Sequence, residues 1–126
     1  MDTDTVIAML KGQYNIQEHI VEGGFEKCSL SAITLAELST GAFKTDNPDH
    51  FKQLDFIERN FNVLPFGSSR IYGRIRALLE KEGLRLDDMD LLIAGTALEK
   101  GMTLVTHNVK HFSRIPELIV KDWMKI

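Results

Sequence analysis

The chain alternates short β-rich runs with helix-period segments, and this alternation restricts the fold more than any single motif. Residues 27–31, 62–66, 103–106 and 118–120 read as strands. Between them lie segments with helical spacing and recognisable ends. A helix is expected over 5–11 with Asp4 as its N-cap, and Gly23-Gly24 breaks the chain before the first clear strand run. A second helix should span about 34–43. Another begins at Pro48, with Phe51, Leu54 and Ile57 three residues apart. A further helix, capped by Ser68 or Ser69, carries the stripe Ile71, Ile75, Leu78 and Leu79 and ends at Gly83. The next opens at Asp87 or Asp88, runs to Lys100 and stops at Gly101. Strands separated by helices imply an α/β chain whose mostly parallel sheet is covered by helices. In such sheets ligands bind beyond the carboxyl ends of the strands.

The acids fall where that rule points. Asp2 and Asp4 precede the first helix, Glu37 and Asp90 lie in the first turns of later helices, and Asn108 follows the 103–106 strand. With parallel strands these positions can gather at one edge of the sheet. Clustered carboxylates repel one another unless a cation joins them. Mg²⁺ suits such a set, being a hard ion that takes oxygen ligands and keeps several waters. Held there, it can activate water and polarise a phosphodiester. Each acid also has a purely structural account. Thr34-x-x-Glu37 and Asp87-x-x-Asp90 have capping-box spacing, and acids in a first turn favour the helix dipole. Asp90 departs from that account, because it shares a helix face with Ala94 and Ala97. Those small apolar residues suit close packing and turn Asp90 inward, where an unpaired charge is costly.

At 126 residues the chain is read as one domain over 1–126. Its net charge of −3 argues against a protein that grips many phosphates unaided, though not against a nuclease acting through cations. No signal peptide or bilayer-length apolar run is present, so a cytoplasmic location is expected. Cys28 is the only cysteine; it excludes an internal disulfide and reads as a small core residue. Arg70, Arg74 and Arg76 are candidates to hold a phosphate backbone, and His107, His111 and Arg114 to touch substrate. The i, i+4 histidines lack a third ligand, which argues against zinc.

Several motifs resemble one family in the right order. They are Asp2-Thr-Asp-Thr-Val-Ile; Ser31-Ala-Ile-Thr-Leu-Ala-Glu37-Leu-Ser-Thr-Gly41-Ala; Asp90-Leu-Leu-Ile-Ala-Gly-Thr-Ala-Leu; and Gly101-Met-Thr-Leu-Val-Thr-His-Asn108 with His111-Phe112 after it. Over essentially the whole chain the sequence resembles VapC-type PIN-domain ribonucleases, the toxins of VapBC toxin–antitoxin pairs. The resemblance implies a three-layer α/β/α fold and Mg²⁺-dependent (or Mn²⁺-dependent) endonucleolytic cleavage of RNA, often a structured RNA such as tRNA. It implies Asp2, Glu37 and Asp90 as metal-binding acids and Asn108 at a fourth catalytic position that in relatives is often Asp. Asp4 and Thr106 become supporting residues. A VapB-like antitoxin is the implied partner, its tail lying in a groove supplied by helices carrying Ile7 to Leu10, Leu35 to Phe43 and Phe51 to Ile57. Homodimerisation is common in the family, and no membrane association is implied.

The sequence departs from the family at its start. Relatives carry several apolar residues before the first Asp, forming the central strand, whereas only Met1 precedes Asp2 here. Either the sheet loses most of that strand or Asp2 sits on a fraying terminus. A start upstream would restore the strand; otherwise weaker metal binding and lower stability are expected. Two rivals stand beside this reading. Asp2-x-Asp4 also opens haloacid dehalogenase-like phosphatases, whose other motifs are not convincing here. A degenerate PIN domain serving as a non-catalytic binding or regulatory subunit would explain Asn108 and the short start.

Overall fold

The computed structural model describes residues 1–67 and 69–124. Its elements, in chain order, are α1 (Thr3–Leu10), α2 (Ile16–Gly23), a 3₁₀ turn (Phe25–Lys27), β1 (Ser29–Ser31), α3 (Ala32–Thr45), α4 (Pro48–Asn60), β2 (Asn62–Leu64), α5 (Ser69–Lys81), α6 (Asp88–Glu99), β3 (Leu104–Val105), α7 (Val109–Phe112) and β4 (Val120–Lys121). β1 pairs with β2 and β3 with β4, both in parallel. The chain start joins the two pairs. The Met1 ammonium donates to the Ser29 carbonyl at 3.0 Å, and the Asp2 N–H donates to the Val105 carbonyl at 2.9 Å. Met1 and Asp2 thus occupy the place between β1 and β3. Burial lowers the pKa of the Met1 amine, despite the opposing pull of the Asp2 carboxylate.

The layers follow from strand alternation. In β3, Leu104 packs with Ile75, Leu79, Leu91, Ala94, Phe112 and Ile115, while its neighbour Val105 packs with Val6, Ile16, Ile20, Leu30 and Ile57. Successive strand side chains point to opposite faces. One core therefore lies under α1, α2 and α4, the other under α5, α6 and α7, with strands between them. Cys28 belongs to the first core. Among the described residues no helix is long and apolar enough to cross a membrane.

Several helix ends differ from the sequence reading. α1 starts two residues early because Asp2, not Asp4, is its N-cap; Asp2 Oδ1 accepts the Thr5 N–H at 3.0 Å, and Asp4 is exposed. α3 starts at Ala32 because the Ser31 hydroxyl accepts the Thr34 N–H at 3.1 Å. Glu37 therefore sits beyond the first turn and has no capping-box role. The expected strands shorten to Ser29–Ser31, Asn62–Leu64 and Leu104–Val105, and the last shifts to Val120–Lys121. Ser68, one of the two cap candidates, lies outside the described residues, and α5 opens at Ser69. α4 and α6 begin as their caps require, with Asn47 before Pro48 and Asp87 before Asp88. Gly83 and Gly101, at φ 73° and 63°, take the left-handed conformation that ends α5 and α6.

Adjacent leucines of α5 separate core from surface: Leu79 is 1% exposed and Leu78 36%. Leu79→Ala should lower stability by about 3 kcal/mol in urea unfolding, through lost transfer energy and the cavity left behind. Leu78→Ala should cost less than about 1 kcal/mol. Equal losses for the two would contradict this layering.

Candidate metal centre

Asp2 is held from every side. It is 5% exposed, and its carboxylate accepts from the Thr5 backbone and from the Thr106 hydroxyl. The Thr106 oxygen in turn accepts the Asn108 N–H at 3.0 Å. The expectation of a fraying Asp2 is thus corrected: its N–H and both carboxylate oxygens are engaged within the fold. Thr106, fully buried, connects the start of α1 to the turn after β3.

Glu37 comes from the second turn of α3 and is half-buried. Its Oε1 accepts the Thr3 hydroxyl at 2.6 Å, which joins α3 to α1. Asp90 lies in the first turn of α6, on the face shared with the buried Ala94 and Ala97. Its carboxylate is half-buried and receives no hydrogen bond from the described residues. Burial pushes its pKa up to about 6, and the negative charges of Asp87, Asp2, Glu37 and Asp4 push in the same direction. Asp2, Asp4, Glu37 and Asp90, dispersed in sequence, therefore act on one another through space. Asn108 is the N-cap residue of α7; its side chain makes no capping bond, and its backbone ties it to Thr106.

The donor chemistry fits a hard divalent cation: oxygen ligands only, with one half-buried carboxylate that no donor among the described residues satisfies. Among the described residues no three acidic or imidazole side chains close tightly enough to hold a metal by themselves. That spacing is compatible with Mg²⁺, which is commonly bound through one or two carboxylates and retains waters for its other positions. Like charges also separate where no cation draws them together.

The basic candidates divide differently. Arg76 is committed to Tyr72 Oη at 2.8 Å, Glu80 at 3.1 Å and Asp88 at 3.3 Å, contacts that raise its pKa. It links α5 to α6 and is not available to a phosphate without losing them. Arg74 lies 3.8 Å from Glu117. Arg70 is exposed with no ion-pair partner among the described residues. His107 and His111 are both exposed. His107 Nδ1 is 3.1 Å from Asp122 Oδ2, whose side chain is 7% exposed. Sequence reading did not find Asp122, which lies fifteen residues after His107 with no motif to connect them.

Beside the acids runs an apolar cleft of about 260 Å³, lined by Ile7 and Leu10 of α1, Leu38 and Ala42 of α3, and Leu54 and Ile57 of α4. Glu37 also lines it, so cleft and acidic site share a wall.

Comparison with known proteins agrees with this geometry. The model of the PIN domain family matches residues 1–118. The chain is 35% identical to the tRNA(fMet)-specific endonuclease VapC of Salmonella typhimurium over 98% of its own length and 96% of that protein. It is 38% identical to ribonuclease VapC2 of Rickettsia felis, over 77% of this chain and 75% of the relative. Among solved structures it is similar to Rickettsia felis VapBC2 bound to a promoter DNA fragment, with TM-score 0.84, 33% identity and coverage of 97% and 96%. It is also similar to VapBC-1 of nontypeable Haemophilus influenzae, with TM-score 0.83, 34% identity and coverage of 98% and 96%. VapC nucleases of this kind generally depend on a divalent metal. By family model, relatives and fold together, the chain belongs to the PIN domain family and is one of its VapC-type members.

Proposed function

We propose that this chain is a Mg²⁺-dependent endoribonuclease, the toxin of a VapBC-like pair, acting in the cytoplasm as one PIN-like unit over residues 1–126, with Mn²⁺ as a substitute ion. The observation that carries the reading is Asp90: a half-buried carboxylate without a donor among the described residues, its pKa raised by burial and by the charges of Asp87, Asp2, Glu37 and Asp4. Such a group is uncomfortable in a purely structural role and suited to a cation. Asp2, Glu37 and Asp90 would hold the ion, and the Asn108 amide would orient water or substrate beside it. When bound, a divalent cation offsets the carboxylate charge and polarises the scissile phosphodiester. The chain's own contribution is placement: Thr106 fixes Asp2, and α6 aims Asp90 at the same edge.

The substrate is RNA with an accessible, unstacked segment, such as a tRNA loop, since sequence-specific cleavage needs bases free of the helix. Arg70, without an ion-pair partner among the described residues, and the exposed His107 are the groups best disposed to meet its phosphates. The apolar cleft is the seat of a VapB-like antitoxin tail, and the protein assembles as a homodimer, as is common in its family. The rival reading, a non-catalytic binding subunit, draws on Asn108, which supplies no charge at the fourth position.

An assay of RNA cleavage separates the two. The intact protein should cleave with Mg²⁺ and stop with EDTA, and Asp90→Asn should reduce cleavage at least about a hundredfold, a loss of ~2.7 kcal/mol in transition-state stabilisation. Equal cleavage by Asp90→Asn would remove Asp90 from the site. A folded, Mg²⁺-binding protein that cuts no RNA would favour the binder.

A pH dependence follows from Asp90. Its folded pKa of about 6 exceeds the ordinary carboxyl value of 3.8, so between these values the folded chain holds a proton that the unfolded chain has released. The contribution of Asp90 to stability is greatest below about pH 4 and is lost as pH rises through 6. Without divalent ions, Asp90→Asn should therefore gain on the parent in urea unfolding across that window. At pH 7, Mg²⁺ at a hundred times its dissociation constant should stabilise the parent by about 2.7 kcal/mol and the variant far less. Parallel curves for both proteins would count against the assignment.

The cleft makes a separate prediction. Ile7 lines it without belonging to either core cluster. Ile7→Gln should weaken inhibition by the antitoxin from the neighbouring reading frame about tenfold, ~1.4 kcal/mol, with cleavage and melting temperature unchanged. Undiminished inhibition would place the antitoxin elsewhere.

A further inference from the structure

We propose that Thr3 is a positioning residue that fixes the Glu37 carboxylate for the cation through the hydrogen bond its hydroxyl donates; the inference rests on the metal-site reading above. Thr3 is the first residue of α1, but its hydroxyl has no duty in that helix, because Asp2 already caps it. The hydroxyl turns instead to α3, where Glu37 Oε1 lies 2.6 Å away and Thr34 Oγ1 3.3 Å away. A threonine hydroxyl has one proton, and the short approach to a carboxylate claims it. That leaves no proton for the longer 3.3 Å contact with Thr34 Oγ1, which is a weak packing contact beside the short bond. Thr34 is fully buried and backs Thr3 on the α3 side.

This arrangement has two effects on Glu37. It anchors a side chain that would otherwise turn about its own bonds, and it occupies one carboxylate oxygen. The other oxygen, Oε2, has no protein donor among the described residues. The carboxylate is thus held with one face engaged by the fold and the other left for a ligand. Partners that orient a metal-binding carboxylate in this way typically change metal affinity ten- to a hundredfold when removed.

The test compares Thr3→Val, which keeps the shape and loses the hydroxyl, with Thr3→Ser, which keeps the hydroxyl and loses the methyl. The apparent Mg²⁺ dissociation constant is read from the rise in melting temperature with Mg²⁺ alone, and kcat and KM are read on one RNA. Thr3→Val should weaken Mg²⁺ about tenfold and lower kcat with KM little changed, while its metal-free melting temperature stays near the parent's. Thr3→Ser should recover both. A folded Thr3→Val protein with parental Mg²⁺ affinity and kcat overturns the proposal. So does a Thr3→Ser protein as impaired as Thr3→Val, since the methyl and not the hydroxyl would then matter. Should Thr3→Val not fold, Thr3→Ala tests the same bond and should show the same loss of Mg²⁺ affinity; no loss there overturns it as well. If the parent itself shows neither a Mg²⁺-dependent shift nor Mg²⁺-dependent cleavage, the metal-site reading falls and carries this one with it. Parental activity with an indifferent Thr3→Val removes only Thr3.

Discussion

Asp2 is the point at which fold and site become one structure. Its N–H bonds Val105 of β3, one carboxylate oxygen caps α1, and the other takes the Thr106 hydroxyl. Two parallel strand pairs would otherwise meet through side-chain packing alone. A carboxylate buried to this degree is tolerable only because its hydrogen-bonding capacity is met. The same bonds fix where its charge stands, and Asp90 and Glu37 are brought toward it on separate helices. Helix caps and charged site residues are therefore not rival descriptions of Asp2, since one set of bonds makes it both.

The carboxylates differ in how they are held, and the difference has a consequence. Among the described residues, Asp2 is fully engaged by backbone and hydroxyl donors, Glu37 is engaged on one oxygen, and Asp90 on neither. Charge that donors do not offset is carried mainly by Asp90, which is where the raised pKa is found. A cation entering the cluster gains most from Asp90 and least from Asp2. The chain stays acidic overall, with net charge −3, so attraction of a polyanion cannot rest on its general field. On the proposed reading it rests on local groups and on the ion that the acids would hold.

Elements with unambiguous punctuation were legible from sequence. Pro48 opens α4, because proline is at ease in a first turn, and the start of α6 was narrowed to Asp87 or Asp88, of which Asp87 is the cap. Where two capping residues stood near one another, the sequence could not rank them. Asp2 and Asp4 both suit an N-cap, as do Ser31 and Thr34. The choice was decided by bonds to distant residues: Val105 and Thr106 for Asp2, and Thr3 against α3 for the second pair. The acids themselves could be read because their positions relative to strands and helices repeat one rule. Their hydroxyl partners were harder to see. Thr3 meets Glu37 across a separation of 34 residues, and His107 meets Asp122 across 15. No periodicity records a contact between side chains so far apart in the chain.

Helix α3 shows why inhibition and catalysis need not be separate inventions in such a chain. Its first turn buries Thr34, the next presents Glu37 to the acids, and Leu38 and Ala42 line the apolar cleft. Residues three and four apart share a helix face, so Glu37 lies beside Gly41 and Leu38 beside Ala42, and all four line the cleft. An apolar segment settling against α1 and α4 in this cleft must approach the end where Glu37 stands. If that segment carries a positive charge at its leading edge, it meets carboxylates that a cation or a substrate would otherwise use. The cleft supplies binding area and the acids supply the reason that occupancy matters. Both follow from a single helix packed between α1 and α4.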